Sequence, residues 1–256
     1  MNKNIRNRIL LGLVLMAGGW LHAQDGPTPY PDPKDDAAWP GTGSIRLFNW
    51  MVDNRAYFWT KRAQDQGAVV FVGDSLVGNM KAPVMASAFP GLKVANRGIG
   101  GDVTRGVLFR FKEDVLDLAP KAVVICIGTN DLSTHAEPAV IAGNIALLLD
   151  QARAHNPAMP IVLCTVPPRA SPKAPLRRAD VVTELNTLIR KVAQDRKNIT
   201  VFDLFAALST PQGAPNPEYF NADLLHPANA GYARWGSLLA PVLTGLLQEQ
   251  PAAAAK

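Results

Sequence analysis

Val70-Phe71-Val72-Gly73-Asp74-Ser75-Leu76 decides the fold of this chain. Its apolar opening reads as a strand buried on both faces of a parallel sheet. The run stops at Gly-Asp-Ser. A serine therefore stands at the carboxyl end of a strand, where open α/β sheets place their ligands and chemistry. By itself, a Ser in such a turn is most often a helix cap, so its meaning depends on what the rest of the chain brings to it.

Working outward, apolar runs and helix-like segments alternate. Five runs read as strands: Ala68–Gly73, Lys93–Asn96, Ala122–Ile127, Ile161–Val166 and Ile199–Phe202. Between and after them lie segments of helical character, Met80–Phe89, Val103–Leu118, Glu137–Ala154, Ala179–Arg196 and Ala228–Leu247. Within Glu137–Ala154, Val140, Ile141, Ile145, Leu148 and Leu149 recur at helical spacing. Strand–helix alternation predicts βαβ units with right-handed crossovers. The segment Ile45–Gln66, with Leu47, Phe48, Met51, Tyr57, Phe58 and Trp59, reads as a helical flap whose aromatics belong to the core.

The ends of the chain read differently. Lys3, Arg6 and Arg8 precede an apolar stretch from Ile9 to Trp20, and Leu21-His22-Ala23 offers a cleavage site. That pattern is a secretory signal peptide over residues 1–23, with an h-region short for a membrane span. Residues 24–43 are rich in Pro and Asp, lack periodicity and predict a mobile leader. Residues 44–250 form the expected catalytic domain, and 251–256 a frayed Ala-rich tail. The formal charge of +5 includes the three basic residues of the signal. No Lys/Arg cluster interleaved with aromatics remains, which argues against nucleic acid as a partner. No second long apolar run predicts a membrane span. Cys126 and Cys164 each lie inside a strand-like run. Neighbouring parallel strands seldom offer disulfide geometry, so two buried free thiols are expected.

Three more blocks follow the first: Asn96-Arg97-Gly98-Ile99-Gly100-Gly101-Asp102, Gly128-Thr129-Asn130-Asp131 and Asp223-Leu224-Leu225-His226-Pro227. Of four histidines, His226 is the one with a carboxylate three residues earlier and a proline behind it. Alone, an Asp-x-x-His can be a surface ion pair. No metal-ligand spacing and no cofactor motif is present, and the glycines of the second block miss the Gly-x-Gly-x-x-Gly pattern. The Gly-x-Ser-x-Gly elbow of α/β-hydrolases is also absent.

Together, in this order, the four blocks resemble the GDSL/SGNH hydrolase family. Their wording is most similar to the branch that includes the catalytic subunits of platelet-activating-factor acetylhydrolase type Ib. The resemblance implies a flavodoxin-like, three-layer α/β/α fold with a five-stranded parallel sheet in the order 2-1-3-4-5. It implies Ser75 as nucleophile, His226 as base and Asp223 as the acid that orients the base. The oxyanion donors would be the Ser75 and Gly101 N–H groups and the Asn130 side chain. In the type Ib branch, bulky residues matching Leu76 and Leu225 sit near the acyl group, which predicts a preference for acetyl esters.

No cofactor is implied. Asp102 and Asp131 are expected to cap the helices that follow them, and Arg169 to be solvated. The resulting expectation is an exported serine esterase acting on a small-molecule or polysaccharide ester, O-acetylated carbohydrate first. A short-chain lipid or phospholipid esterase, or a thioesterase, comes next. An inactive scaffold acting as a binding protein is the reading from another class.

Overall fold

The computed structural model describes residues 25–249 except 174, 175, 177 and 179. The signal-peptide and tail readings fall outside the described residues. Five strands form one parallel sheet: β1 (Val69–Gly73), β2 (Val94–Gly98), β3 (Ala122–Cys126), β4 (Ile161–Cys164) and β5 (Ile199–Phe202). Their order is β2-β1-β3-β4-β5, as the resemblance implies. Nine helices are described: α1 (Asn49–Asp65), α2 (Ser75–Gly78), α3 (Ala82–Ala88), α4 (Thr104–Asp114), α5 (Thr129–Ser133), α6 (Pro138–His155), α7 (Val181–Ala193), α8 (Leu204–Leu208) and α9 (Asn229–Gln248).

The strands alternate their side chains between two cores, as a period of two requires. Val70, Val72, Val123, Ile125, Ile161 and Leu163 pack against α4, α6 and α7. Val69, Phe71, Val124, Cys126, Val162 and Cys164 pack against α3, α8 and α9, with Trp235 and Leu239 fully buried. Both faces of the sheet are thus covered, which gives the three layers. Cys126 and Cys164 are buried free thiols.

β2 runs two residues further than its apolar letters suggest, because Arg97 lies within it. The guanidinium is buried, paired with Asp65 at 2.7 Å, donating to the Asp114 carbonyl and set over the Phe58 ring. A charge satisfied on several sides tolerates a strand interior. At the end of β2, a methyl on Gly98 would come within 2.2 Å of the Gly78 nitrogen. Glycine there lets the α2 turn, which begins at the serine, lie against the sheet.

Residues 25–43, whose composition predicts a mobile leader, make many contacts with the domain. Arg105 holds them: its N–H groups reach the Pro40, Trp39, Gly43 and Asp36 carbonyls and the Asp36 carboxylate. Tyr30 stacks on Trp39 and touches Phe109. Asn144 of α6 exchanges two hydrogen bonds with Thr42. The Pro/Asp composition removes helical and strand periodicity, and side chains elsewhere supply the order. α1 is helical as expected, but its aromatics divide. Met51 and Phe58 are buried, whereas Phe48, Trp50 and Tyr57 are exposed.

Candidate active site

The carboxyl ends of β1, β2 and β3 meet at one edge of the sheet. Ser75 is the first residue of α2, directly after β1. Asp74 caps that turn, its Oδ1 accepting the Leu76 N–H at 2.9 Å. Asp223 and His226 lie on the loop before α9. Leu224, between them, adopts φ +50. The Asn221 N–H donates to the His226 carbonyl, and the Ala170 N–H to the Leu224 carbonyl. One carboxylate oxygen of Asp223 accepts the Leu225 and His226 N–H groups, both at 3.0 Å. That turn leaves the other oxygen for the ring.

His226 Nδ1 lies 2.6 Å from Asp223 Oδ2, and Nε2 lies 2.9 Å from Ser75 Oγ. An ionised carboxylate only accepts, so the proton sits on Nδ1. Nε2 is then the acceptor facing the hydroxyl. Burial pushes the Asp223 carboxyl up, but the His226 ring and the two N–H groups outweigh it and hold it below its ordinary value. The carboxylate thus stays charged and orients the base. Residues 151 positions apart in sequence form one relay.

Of the three expected oxyanion donors, one is the Ser75 N–H itself, and Gly101 and Asn130 follow the ends of β2 and β3. A methyl built on Gly100 would stand 3.9 Å from the Ser75 Cβ, so the Gly100-Gly101 turn borders the nucleophile. Gly101 has φ +85, and a side chain there would meet the Phe48 ring at 3.1 Å. Both conditions demand glycine. The Asn130 carboxamide donates one Nδ2 hydrogen to the Asp102 carbonyl at 3.0 Å and accepts from Arg46 at 3.3 Å. Its second Nδ2 hydrogen remains available.

Other residues depart from expectation. Leu76 is 1% exposed and packs in the core beneath α2. The helix turn that starts at Ser75 directs its side chain inward. Leu225 is half-buried beside His226. Arg169 is buried, not solvated, and its guanidinium holds the Thr129 carbonyl and the Thr129 and Ser133 hydroxyls. It thereby braces α5, which carries Asn130.

Asp102 bonds the Val103 N–H, but its main partner is the buried Arg110 at 2.8 Å. Arg110 also donates to the Gly73 carbonyl, tying the second block to the first. Asp131 caps no helix of its own. It accepts the N–H and hydroxyl of Thr104, the first residue of α4. Val103, the residue before that helix, has no side-chain acceptor, so the cap comes from another element. Burial raises Asp74 to about 7 and Asp131 to about 6.

Sequence reasoning missed Arg46, Trp50, Arg110 and the bracing role of Arg169. Their acceptors include the Gly100, Gly73 and Thr129 carbonyls, which leave no mark in a sequence, and side chains that the donor's own letter does not name.

A model of the GDSL-like Lipase/Acylhydrolase family matches residues 64–234. The chain is 32% identical over 186 residues to platelet-activating factor acetylhydrolase IB subunit alpha2 of Rattus norvegicus, covering 72% of this chain and 79% of the relative. A GDSL-like lipase of Bacteroides thetaiotaomicron aligns with a TM-score of 0.65 and 26% identity, over 74% of this chain and 96% of that one. An acetyl xylan esterase of Geobacillus stearothermophilus shares the fold, with a TM-score of 0.53 and 19% identity over 74% of this chain and all of that one. With the family model matched over residues 64–234 and a relative 32% identical over 186 residues, the chain belongs to the GDSL-like lipase/acylhydrolase family of ester-cleaving enzymes.

Proposed function

We propose that this protein is a serine esterase that removes short acyl groups, acetyl first, through an acyl-serine intermediate. The observation that carries the proposal is the continuous relay Asp223–His226–Ser75, with contacts of 2.6 and 2.9 Å. Ser75 Oγ attacks the ester carbonyl as His226 Nε2 takes its proton, and Asp223 stabilises the imidazolium. The carbonyl oxygen becomes an oxyanion held by the Ser75 N–H, the Gly101 N–H and the Asn130 side chain. Collapse expels the alcohol, which receives the proton from His226. Water, deprotonated by His226, then attacks the acyl-serine and releases the acid. No step requires a cofactor.

The choice of acetyl is supported by the relatives' names as acetylhydrolases. For the alcohol, we favour carbohydrate, because residues 1–23 read as an export signal, which supports a secreted or periplasmic enzyme. A short-chain phospholipid is the second reading, supported by the same relatives' names. Among the described residues no helix is long and apolar enough to cross a membrane.

The test combines a serine-reactive fluorophosphonate with a substrate panel. Mass spectrometry should place the adduct on Ser75, and Ser75→Ala should abolish labelling and turnover while keeping the fold. An adduct on another serine would overturn the mechanism. Acetylated xylan and a 2-acetyl phospholipid, assayed side by side, separate the two alcohols.

A further inference from the structure

We infer that Arg46 and Trp50 are positioning residues of the oxyanion hole, each fixing one of its donors from outside the core of the fold. The inference rests on the esterase reading above and deepens it. Both residues precede residue 64, where the family match begins. They therefore belong to the amino-terminal segment, whose role composition left open.

Trp50 acts on Gly101 through the peptide that joins it to Gly100. The indole Nε1–H donates to the Gly100 carbonyl at 2.8 Å. That carbonyl and the Gly101 N–H share one rigid planar trans unit and point in opposite directions. Holding the oxygen against the indole therefore aims the N–H away from it. Without such a hold, a Gly-Gly peptide turns over easily, because neither residue has a Cβ to resist the rotation. A turned peptide would present a carbonyl oxygen to the developing oxyanion instead of a donor. The indole is itself held: it stacks on Phe48 at 4.4 Å, and Phe48 covers Gly101. Donation to the carbonyl also polarises the amide and strengthens its N–H as a donor.

Arg46 acts on Asn130. A carboxamide can rotate by half a turn and exchange its oxygen for its NH₂. Arg46 Nη1 donates to Asn130 Oδ1 at 3.3 Å while Nδ2 donates to the Asp102 carbonyl at 3.0 Å. In the rotated state, NH₂ would face a guanidinium and oxygen would face a carbonyl. Both contacts would be repulsive, so the arginine selects the rotamer that leaves an N–H for the oxyanion.

The experiment is a double-mutant cycle on the full-length protein with p-nitrophenyl acetate. Its variants are Trp50→Phe, Arg46→Met and Asn130→Ala, with the two pairs that include Asn130→Ala. Removing a whole donor costs about 100- to 1,000-fold, so loosening one should cost about tenfold in kcat. KM should stay within about twofold, because the hole acts in the transition state. Binding of a boronic acid that forms a tetrahedral adduct on Ser75 should weaken by the same factor as kcat/KM.

On the Asn130→Ala background, Arg46→Met should have no further effect, since its target is gone, while Trp50→Phe should keep its full effect. Thermal unfolding guards against a merely structural cause. Unchanged kcat in both folded single variants would overturn the inference, as would a loss confined to KM. A full Arg46→Met effect on the Asn130→Ala background would overturn the part concerning Arg46. Failure of the wild type to label at Ser75 would instead bring down the esterase reading and this inference with it.

Discussion

Asp74 is a fully buried carboxylate next to the nucleophile, and its titration should be measurable as stability. One oxygen accepts the Leu76 N–H, and the other has no hydrogen-bond partner. Burial, reinforced by the charges of Asp102 and Asp131, raises it from 3.8 to about 7. A group whose folded value exceeds its unfolded value binds more protons in the folded state. Stability then falls as pH rises through the window between the two values, from about 4 to about 7. A shift of roughly three units corresponds to a loss of about 4 kcal/mol, an upper bound.

Asp74→Asn keeps an acceptor for Leu76 and has no proton to lose. Its buried NH₂ adds a cost of about 1–3 kcal/mol that does not depend on pH. The prediction therefore concerns the slope: relative to wild type, the variant should gain up to about 4 kcal/mol between pH 4 and pH 8. Other buried acids, Asp131, Asp102 and Asp114, tilt stability in the same direction, and Asp223 tilts it the other way. Asp114 and Asp223 do so in both proteins and cancel in the difference, whereas the coupling of Asp74 to Asp102 and Asp131 stays in it and is part of the measured slope. Urea unfolding followed by tryptophan fluorescence at several pH values supplies the numbers. A wild-type–variant difference that stays constant across the window would refute the reasoning.

Three further outcomes are expected. Asn130→Ala should lower kcat about 100- to 1,000-fold with KM little changed; a variant that loses stability but keeps its kcat would make Asn130 a loop residue only. Arg105→Met removes the guanidinium that binds residues 36–43, so limited proteolysis should cut within that stretch while the sheet core survives, and an unchanged digestion pattern would refute the clamp. Leu225→Ala should raise activity on butyrate relative to acetate, since a methylene in an apolar pocket is worth about 1–3 kcal/mol of discrimination. A wild type that works best on C8 to C12 esters would refute a closed acyl pocket.

What the sequence made legible was what short segments carry in their own letters. The continuous apolar strands, the strand-end Gly-Asp-Ser and the Asp-x-x-His loop each satisfy local rules, and the sheet order follows from the family they resemble. α8 was missed, and α2 and α5 received no bounds, because four or five residues are too few to show a helical period. The burial of Leu76 was not legible because its position beside Ser75 says nothing about which way one turn of helix points it. Each of these gaps is local and small.

The larger gap has a single physical cause. Arg105 bonds the Pro40, Trp39 and Gly43 carbonyls, Arg110 the Gly73 carbonyl, Arg169 the Thr129 carbonyl and Trp50 the Gly100 carbonyl. Every residue has a carbonyl, so a donor in the sequence does not name its acceptor. Acid–base pairs such as Arg110–Asp102 at least leave two letters to match; a side chain bound to backbone leaves one. Arginine favours such contacts because its planar fork can satisfy several carbonyls at once. That is why the amino-terminal segment reads as a loose leader and a greasy flap. In the folded chain, its backbone is clamped by Arg105, and its own Arg46 and Trp50 reach into the site. The catalytic letters were visible because their chemistry is in their side chains. Most of the residues around them were hidden because they act on atoms common to every residue; Arg46, which reaches the Asn130 side chain, was hidden because nothing in the sequence pairs those two letters.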